Sequence, residues 1–239
     1  MKSSVNFLVM ILSLTLALTW QPLKSRAADE SGISLKKGDR IVFLGDSITQ
    51  AGWDNANGYV QIIKKTLDEK HGDLDITVLG AGISGNKVPD LQKRIDQDVI
   101  AKKPTIVFIY IGINDVWHGE SNPAKGTSKD KFESGLKEVI KKITDTGAKV
   151  VMCTPSVIGE KKNGANKLDK KLDAYSDISR AIAKDLKLPL CDLRKEFAEY
   201  ETNNNKENKE SGILTSDRVH LNQAGNKLVA EAMLKILGN

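Results

Sequence analysis

Short apolar runs recur along the chain, and the rhythm changes between them. Residues 40–44, 76–79, 105–111, 149–153 and 188–191 are each too short for a helix and too uniformly apolar for a strand with one wet face. They predict parallel strands buried on both faces. The intervening segments place apolar residues at helical spacing. Tyr59, Ile62, Ile63 and Leu67 share one face, as do Phe132, Leu136, Val139, Ile140 and Ile143. Leu172, Tyr175, Ile178, Ile182 and Leu186 form another stripe, and Val229, Ala232, Met233 and Ile236 the last. Five strands alternating with helices predict an open parallel α/β sheet covered on both sides, with residues 28–239 as one domain. The Asn/Lys/Glu-rich residues 201–211 predict a mobile surface loop, and the polar residues 156–171 a segment that borders a site.

The first apolar segment breaks this pattern. Lys2 precedes an apolar stretch over residues 7–20, and Ser25-Arg26-Ala27 then offers small residues at the two positions a signal peptidase reads. That is the layout of a secretory signal, with cleavage after Ala27 or Ala28, and the run is short for a membrane span. A secreted or periplasmic location is expected, with no stable membrane span once the signal is gone. Residues 1–27 hold three basic side chains and no acid, so their removal takes the net charge from +5 to +2. The Lys-rich helices also carry Asp and Glu, and no basic run is interleaved with aromatics, so a nucleic-acid partner is not expected. The two cysteines, Cys153 and Cys191, fall on neighbouring predicted strands, rule out a disulfide scaffold and form no Cys-x-x-Cys pair. They are expected to be buried free thiols.

In open α/β sheets the chemistry lies beyond the carboxyl ends of the strands. Four turns there are unusual: Gly45-Asp46-Ser47-Ile48-Thr49, Gly80-Ala81-Gly82-Ile83-Ser84-Gly85-Asn86, Gly112-Ile113-Asn114-Asp115 and, past the last strand, Asp217-Arg218-Val219-His220. Taken singly, Asp46 or Ser47 is explained as a helix cap and the Asp-x-x-His pair as a surface ion pair. The three-residue offset nevertheless lets Asp217 reach the Nδ1 proton of His220, which leaves Nε2 free to act as a base toward a hydroxyl. The second turn spells Gly-x-Gly-x-x-Gly after a strand, the pattern of a dinucleotide site. It sits on the second strand rather than the first, no acidic residue ends the next strand, and Asn86 stands where a phosphate loop needs lysine. A nucleotide-binding oxidoreductase is therefore the weaker alternative, and no cofactor is expected.

The four turns in order, each after a predicted strand, resemble the four blocks of the SGNH (GDSL-type) hydrolases. The resemblance implies a flavodoxin-like three-layer α/β/α sandwich and hydrolysis of carboxylic esters without a metal. It makes Ser47 the nucleophile, His220 the general base and Asp217 its orienting partner. It assigns the oxyanion hole to the backbone N–H groups of Ser47 and Gly85 and to the side-chain amide of Asn114. Leu221 follows His220 where many relatives carry proline, and no Gly-x-Ser-x-Gly elbow occurs in the chain.

Trp53, Trp117 and His118 follow the first and third strands, and Trp117 and His118 are the candidates for substrate contact. Packing at the sheet rim explains them equally well. His71 ends a predicted helix and is expected to be solvated. With no long apolar lid, the chain suits short acyl groups on carbohydrate or small polar esters. A lysophospholipase or thioesterase of the same mechanism, and a non-catalytic carbohydrate-binding protein, are the alternatives.

Overall fold

The structure is a computed structural model that describes Met1 and residues 32–239, so the predicted export signal over residues 1–27 lies, Met1 apart, outside the described residues. Strand β1 (Arg40–Gly45) leads into helices α1 (Ser47–Asp54) and α2 (Tyr59–His71). Strand β2 (Thr77–Gly82) is followed by α3 (Val88–Asp98), and β3 (Ile106–Tyr110) by the short α4 (Ile113–Trp117) and by α5 (Lys129–Thr144). Strand β4 (Lys149–Cys153), α6 (Asp169–Asp185), the two-residue β5 (Leu190–Cys191), α7 (Leu193–Asn204) and α8 (Gln223–Ile236) complete the order.

The five strands are all parallel in the order β2-β1-β3-β4-β5, which is the flavodoxin-like arrangement. Every residue of β3 is buried, as are all but the first of β1, because helices cover both faces. Phe43 and Phe108, paired in register, stack with ring centroids 5.0 Å apart, and Tyr59 of α2 meets Phe43 edge-on. Helix α2 packs against α8 and α8 against α7, while α3 packs against α5 and α5 against α6. The α5 stripe is buried throughout as predicted, since Phe132, Leu136, Val139, Ile140 and Ile143 recur on one face of a regular helix. Leu186 departs from its predicted stripe: it lies just past the end of α6 and is 46% exposed.

Two expectations need correction. Residues 201–211 are not a free loop. Their first four residues complete α7, and the fully buried Asn205 moors the rest: its amide donates to the Glu160 and Lys209 carbonyls at 2.7 and 2.8 Å and its oxygen accepts from the Lys209 N–H at 2.8 Å. Composition reports solubility, and a single well-placed amide overrides it. His71 is half-buried rather than solvated, because its Nε2 bonds the side-chain oxygen of Asn239 at 2.6 Å.

The Gly-x-Gly-x-x-Gly stretch also has a different use from the one its spelling suggests. Gly80 and Gly82 lie inside β2, not in a strand-to-helix turn. A Cβ on Gly80 would sit 2.4 Å from the Trp53 ring, and one on Gly82 would sit 2.2 Å from the Gln50 nitrogen. These glycines let α1 lie directly on β2, and Trp53 is rim packing. Cys153 and Cys191 are register partners on β4 and β5, both buried and free, and burial raises the Cys153 thiol well above its ordinary range.

Candidate active site

Strand β1 ends in a turn with almost no spare room. A side chain on Gly45 would strike the Thr49 hydroxyl at 2.1 Å and the Tyr110 carbonyl at 2.5 Å. Asp46 then caps α1, its Oδ1 accepting the Ile48 N–H at 2.9 Å. Ser47 is therefore the first helical residue, and its own N–H is one of those that a helix start leaves without an intrahelical partner.

The Ser47 hydroxyl lies 2.9 Å from His220 Nε2, across 173 residues of chain. His220 Nδ1 lies 2.7 Å from Asp217 Oδ2, while Asp217 Oδ1 accepts the backbone N–H groups of His220 at 2.7 Å and Val219 at 3.1 Å. Burial works to raise the Asp217 carboxyl, but these hydrogen bonds outweigh it and hold the group below the ordinary carboxylate range. An ionised Asp217 accepts the Nδ1 proton, so Nε2 presents its lone pair to the serine. The two side chains are 37% and 52% exposed, so water reaches the imidazole directly.

Two further turns come to the same edge of the sheet, because β2 and β3 flank β1. Gly85 adopts φ +76°, a conformation that favours glycine, and nothing lies within 4 Å of where its Cβ would be. Its loop is pinned to α1 by the Ser84 N–H donating to the Gln50 side-chain oxygen at 2.9 Å. Asn114, 4% exposed in α4, donates one amide hydrogen to the Asn86 carbonyl at 3.1 Å, which orients the amide and leaves its second hydrogen for another acceptor.

Arg94 joins these turns and was not legible in the sequence. From α3 its guanidinium donates to the Gly45 carbonyl at 2.8 Å, the Ala81 carbonyl at 3.0 Å and the Asn86 side-chain oxygen at 2.7 Å. One half-buried fork thus gathers the ends of β1 and β2 and the residue that holds Asn114. Nothing in its spacing distinguishes Arg94 from the other basic residues of a mixed-charge helix.

Two carboxyls lie beneath. Burial pushes Asp46 up to about 7 against the Ile48 N–H, with Asp115 adding to the rise. Burial likewise pushes Asp115 up to about 6, against the nearby Thr127 hydroxyl and the Val88 N–H. Trp117 and His118, at the far end of α4, line a cleft of about 460 Å³ with Glu120, Ser121 and Lys125. Burial, with Lys87 and Lys125 nearby, lowers the His118 imidazole. Among the described residues, no three His, Cys, Asp or Glu side chains gather as they would round a metal ion, and no helix is long and apolar enough to cross a membrane.

The Ser47 hydroxyl, His220 imidazole and Asp217 carboxylate thus form a hydrogen-bonded series at the edge of a flavodoxin-like sheet. The GDSL-like lipase/acylhydrolase family model matches residues 43–228, and the chain belongs to that family. It is a carboxylic ester hydrolase. Among its relatives is the acetylxylan esterase of Geobacillus stearothermophilus, 30% identical over 86% of this chain and 97% of that one. The crystal structure of the acetyl xylan esterase AlAXEase superposes with a TM-score of 0.79 at 45% identity, covering 82% of this chain and 98% of the other. That of LAE5, from the metagenome of Lake Arreo, Spain, gives 0.76 at 29% identity over 87% and 98%.

Proposed function

We propose that the protein is an exported serine esterase that removes short acyl groups, acetyl above all, from carbohydrate. The single observation that carries the mechanism is the 2.9 Å contact between Ser47 Oγ and a His220 whose other nitrogen is bound by Asp217. His220 takes the serine proton as Oγ attacks the ester carbon. The tetrahedral oxygen is met by the N–H groups of Ser47 and Gly85 and by the Asn114 amide, each donor contributing about 3–4 kcal/mol in chemistry of this kind. His220 passes the proton to the departing alkoxide, which leaves as the alcohol and an acyl-Ser47. Water, deprotonated by His220, attacks the acyl carbon, releases the acid and returns the proton to Ser47.

The acetyl and carbohydrate preference rests on the two similar acetylxylan esterases and on the cleft that Trp117 and His118 line. Export rests on the signal pattern of residues 1–27. The deciding assay is hydrolysis of p-nitrophenyl esters from acetate to palmitate and of acetylated xylo-oligosaccharides, with the Ser47→Ala variant alongside. Turnover is expected to peak at acetate and to vanish in the variant. A peak at long chains would favour the lipid-directed alternative, and glycan binding without turnover a binding protein.

A further inference from the structure

Asp217 and His220 stand on a turn that burial alone does not fix, since both side chains are substantially exposed. The turn is instead tied at its base. The N–H groups of three consecutive residues converge on one carboxylate: Ile213 donates to Glu160 Oε2 at 2.8 Å, and Leu214 and Thr215 both donate to Oε1 at 2.6 Å. Glu160 is fully buried, and its backbone is itself anchored. Its N–H donates to the Glu210 carbonyl at 3.0 Å, and its carbonyl accepts the Asn205 amide at 2.7 Å. A buried carboxylate is tolerated where hydrogen bonds replace its water, and three charge-assisted backbone donors do so here.

From Thr215 the connection to the reacting groups is short. Thr215 pairs with Leu221 across the turn, its hydroxyl accepts the Arg218 N–H at 3.2 Å, and the Ser216 N–H donates to the His220 carbonyl at 2.9 Å. A second strap comes from Glu160's neighbour, the Gly159 N–H donating to the Arg218 carbonyl at 2.8 Å. We infer that Glu160 is a positioning residue: its carboxylate gathers the N–H groups of residues 213–215 and so holds the Asp217–His220 turn where His220 Nε2 meets the Ser47 hydroxyl. The inference rests on the roles proposed above for Ser47 and His220. Burial and the nearby Glu160 push the Glu201 carboxyl up to about 8.

The test is Glu160→Gln, which sets an NH2 group against one of the inward-pointing backbone donors. We expect kcat for p-nitrophenyl acetate to fall about 10–100-fold with KM little changed, as for a misplaced base. Labelling of Ser47 by a fluorophosphonate should slow in parallel, in protein whose circular dichroism and melting point show it folded at the assay temperature. Unchanged kcat in the folded variant, or a loss confined to KM, overturns the proposal. Hydrogen exchange on the unaltered protein decides the matter should the variant not fold. The amides of Ile213, Leu214 and Thr215 should be protected, and exchange at open-loop rates overturns the mooring. Ser47→Ala in the same assay separates the two levels: activity that survives there removes the triad reading, whereas the exchange result tests Glu160 alone.

Discussion

Asn114 is the residue whose role the geometry sharpens most. Its amide is buried and bound on one side by the Asn86 carbonyl, so the free hydrogen is aimed before any substrate arrives. A pre-aimed donor acts mainly on charge that develops in the transition state. Asn114→Ala should therefore lower kcat by about 10²–10³ and leave KM nearly unchanged. Steady-state kinetics on p-nitrophenyl acetate checks this, and a change mainly in KM would make Asn114 a substrate-binding residue. At this scale Ser47, Gly85, Asn114, Asp217 and His220 could be singled out from the sequence as candidates, because each stands in a short motif after a predicted strand. Arg94 and Glu160 could not. The turn groups they bind lie 8–49 and 53–55 residues away, and a charged residue in a polar stretch reads as surface until the fold brings such partners to it.

Between elements, close approach of backbone decides the geometry. Gly225, in the first turn of α8, would place a Cβ 2.1 Å from the Leu214 carbonyl, at the base of the Asp217–His220 turn. Gly225→Ala must push that segment away from the helix, at a cost of about 1–3 kcal/mol as in other overpacked positions. A melting point lower by several degrees is expected, with kcat reduced alongside. Thermal unfolding and ester turnover measured on the same preparation check both, and an unaltered melting point would show that the segment yields freely. The strands themselves were readable to within a residue or two, except for β2, which runs on through Gly82. Glycine reads as a turn, but on β2 its missing side chain is what admits α1.

Across the whole molecule the buried acids set how stability follows pH. Glu201 rises from 4.5 to about 8 on folding, chiefly through burial. As pH climbs through that window the unfolded chain releases the proton while the folded one keeps it, so stability falls. Asp46 and Asp115, raised from 3.8 to about 7 and about 6, act in the same direction. Asp217, held below 3.8, acts oppositely, and its contribution is lost as pH drops through its lowered value. Glu201→Gln should lose less of its melting temperature than the wild type between about pH 5 and 8. Calorimetry at a series of pH values checks it, and identical slopes would place the Glu201 carboxyl in water. The sequence alone determined the alternation of strands and helices, the stripes that face the sheet and the four turns to which we assign the chemistry. These are local properties, written in periodicity and in residues a turn requires. Only the tertiary structure decided that His220 reaches Ser47 across 173 residues, that Arg94 and Glu160 bind backbone groups of those turns, and that burial raises the Glu201 carboxyl. Those outcomes depend on which distant backbone groups a fold brings within hydrogen-bond reach and on how much water it removes, and neither has a signature in the spacing of residues along the chain.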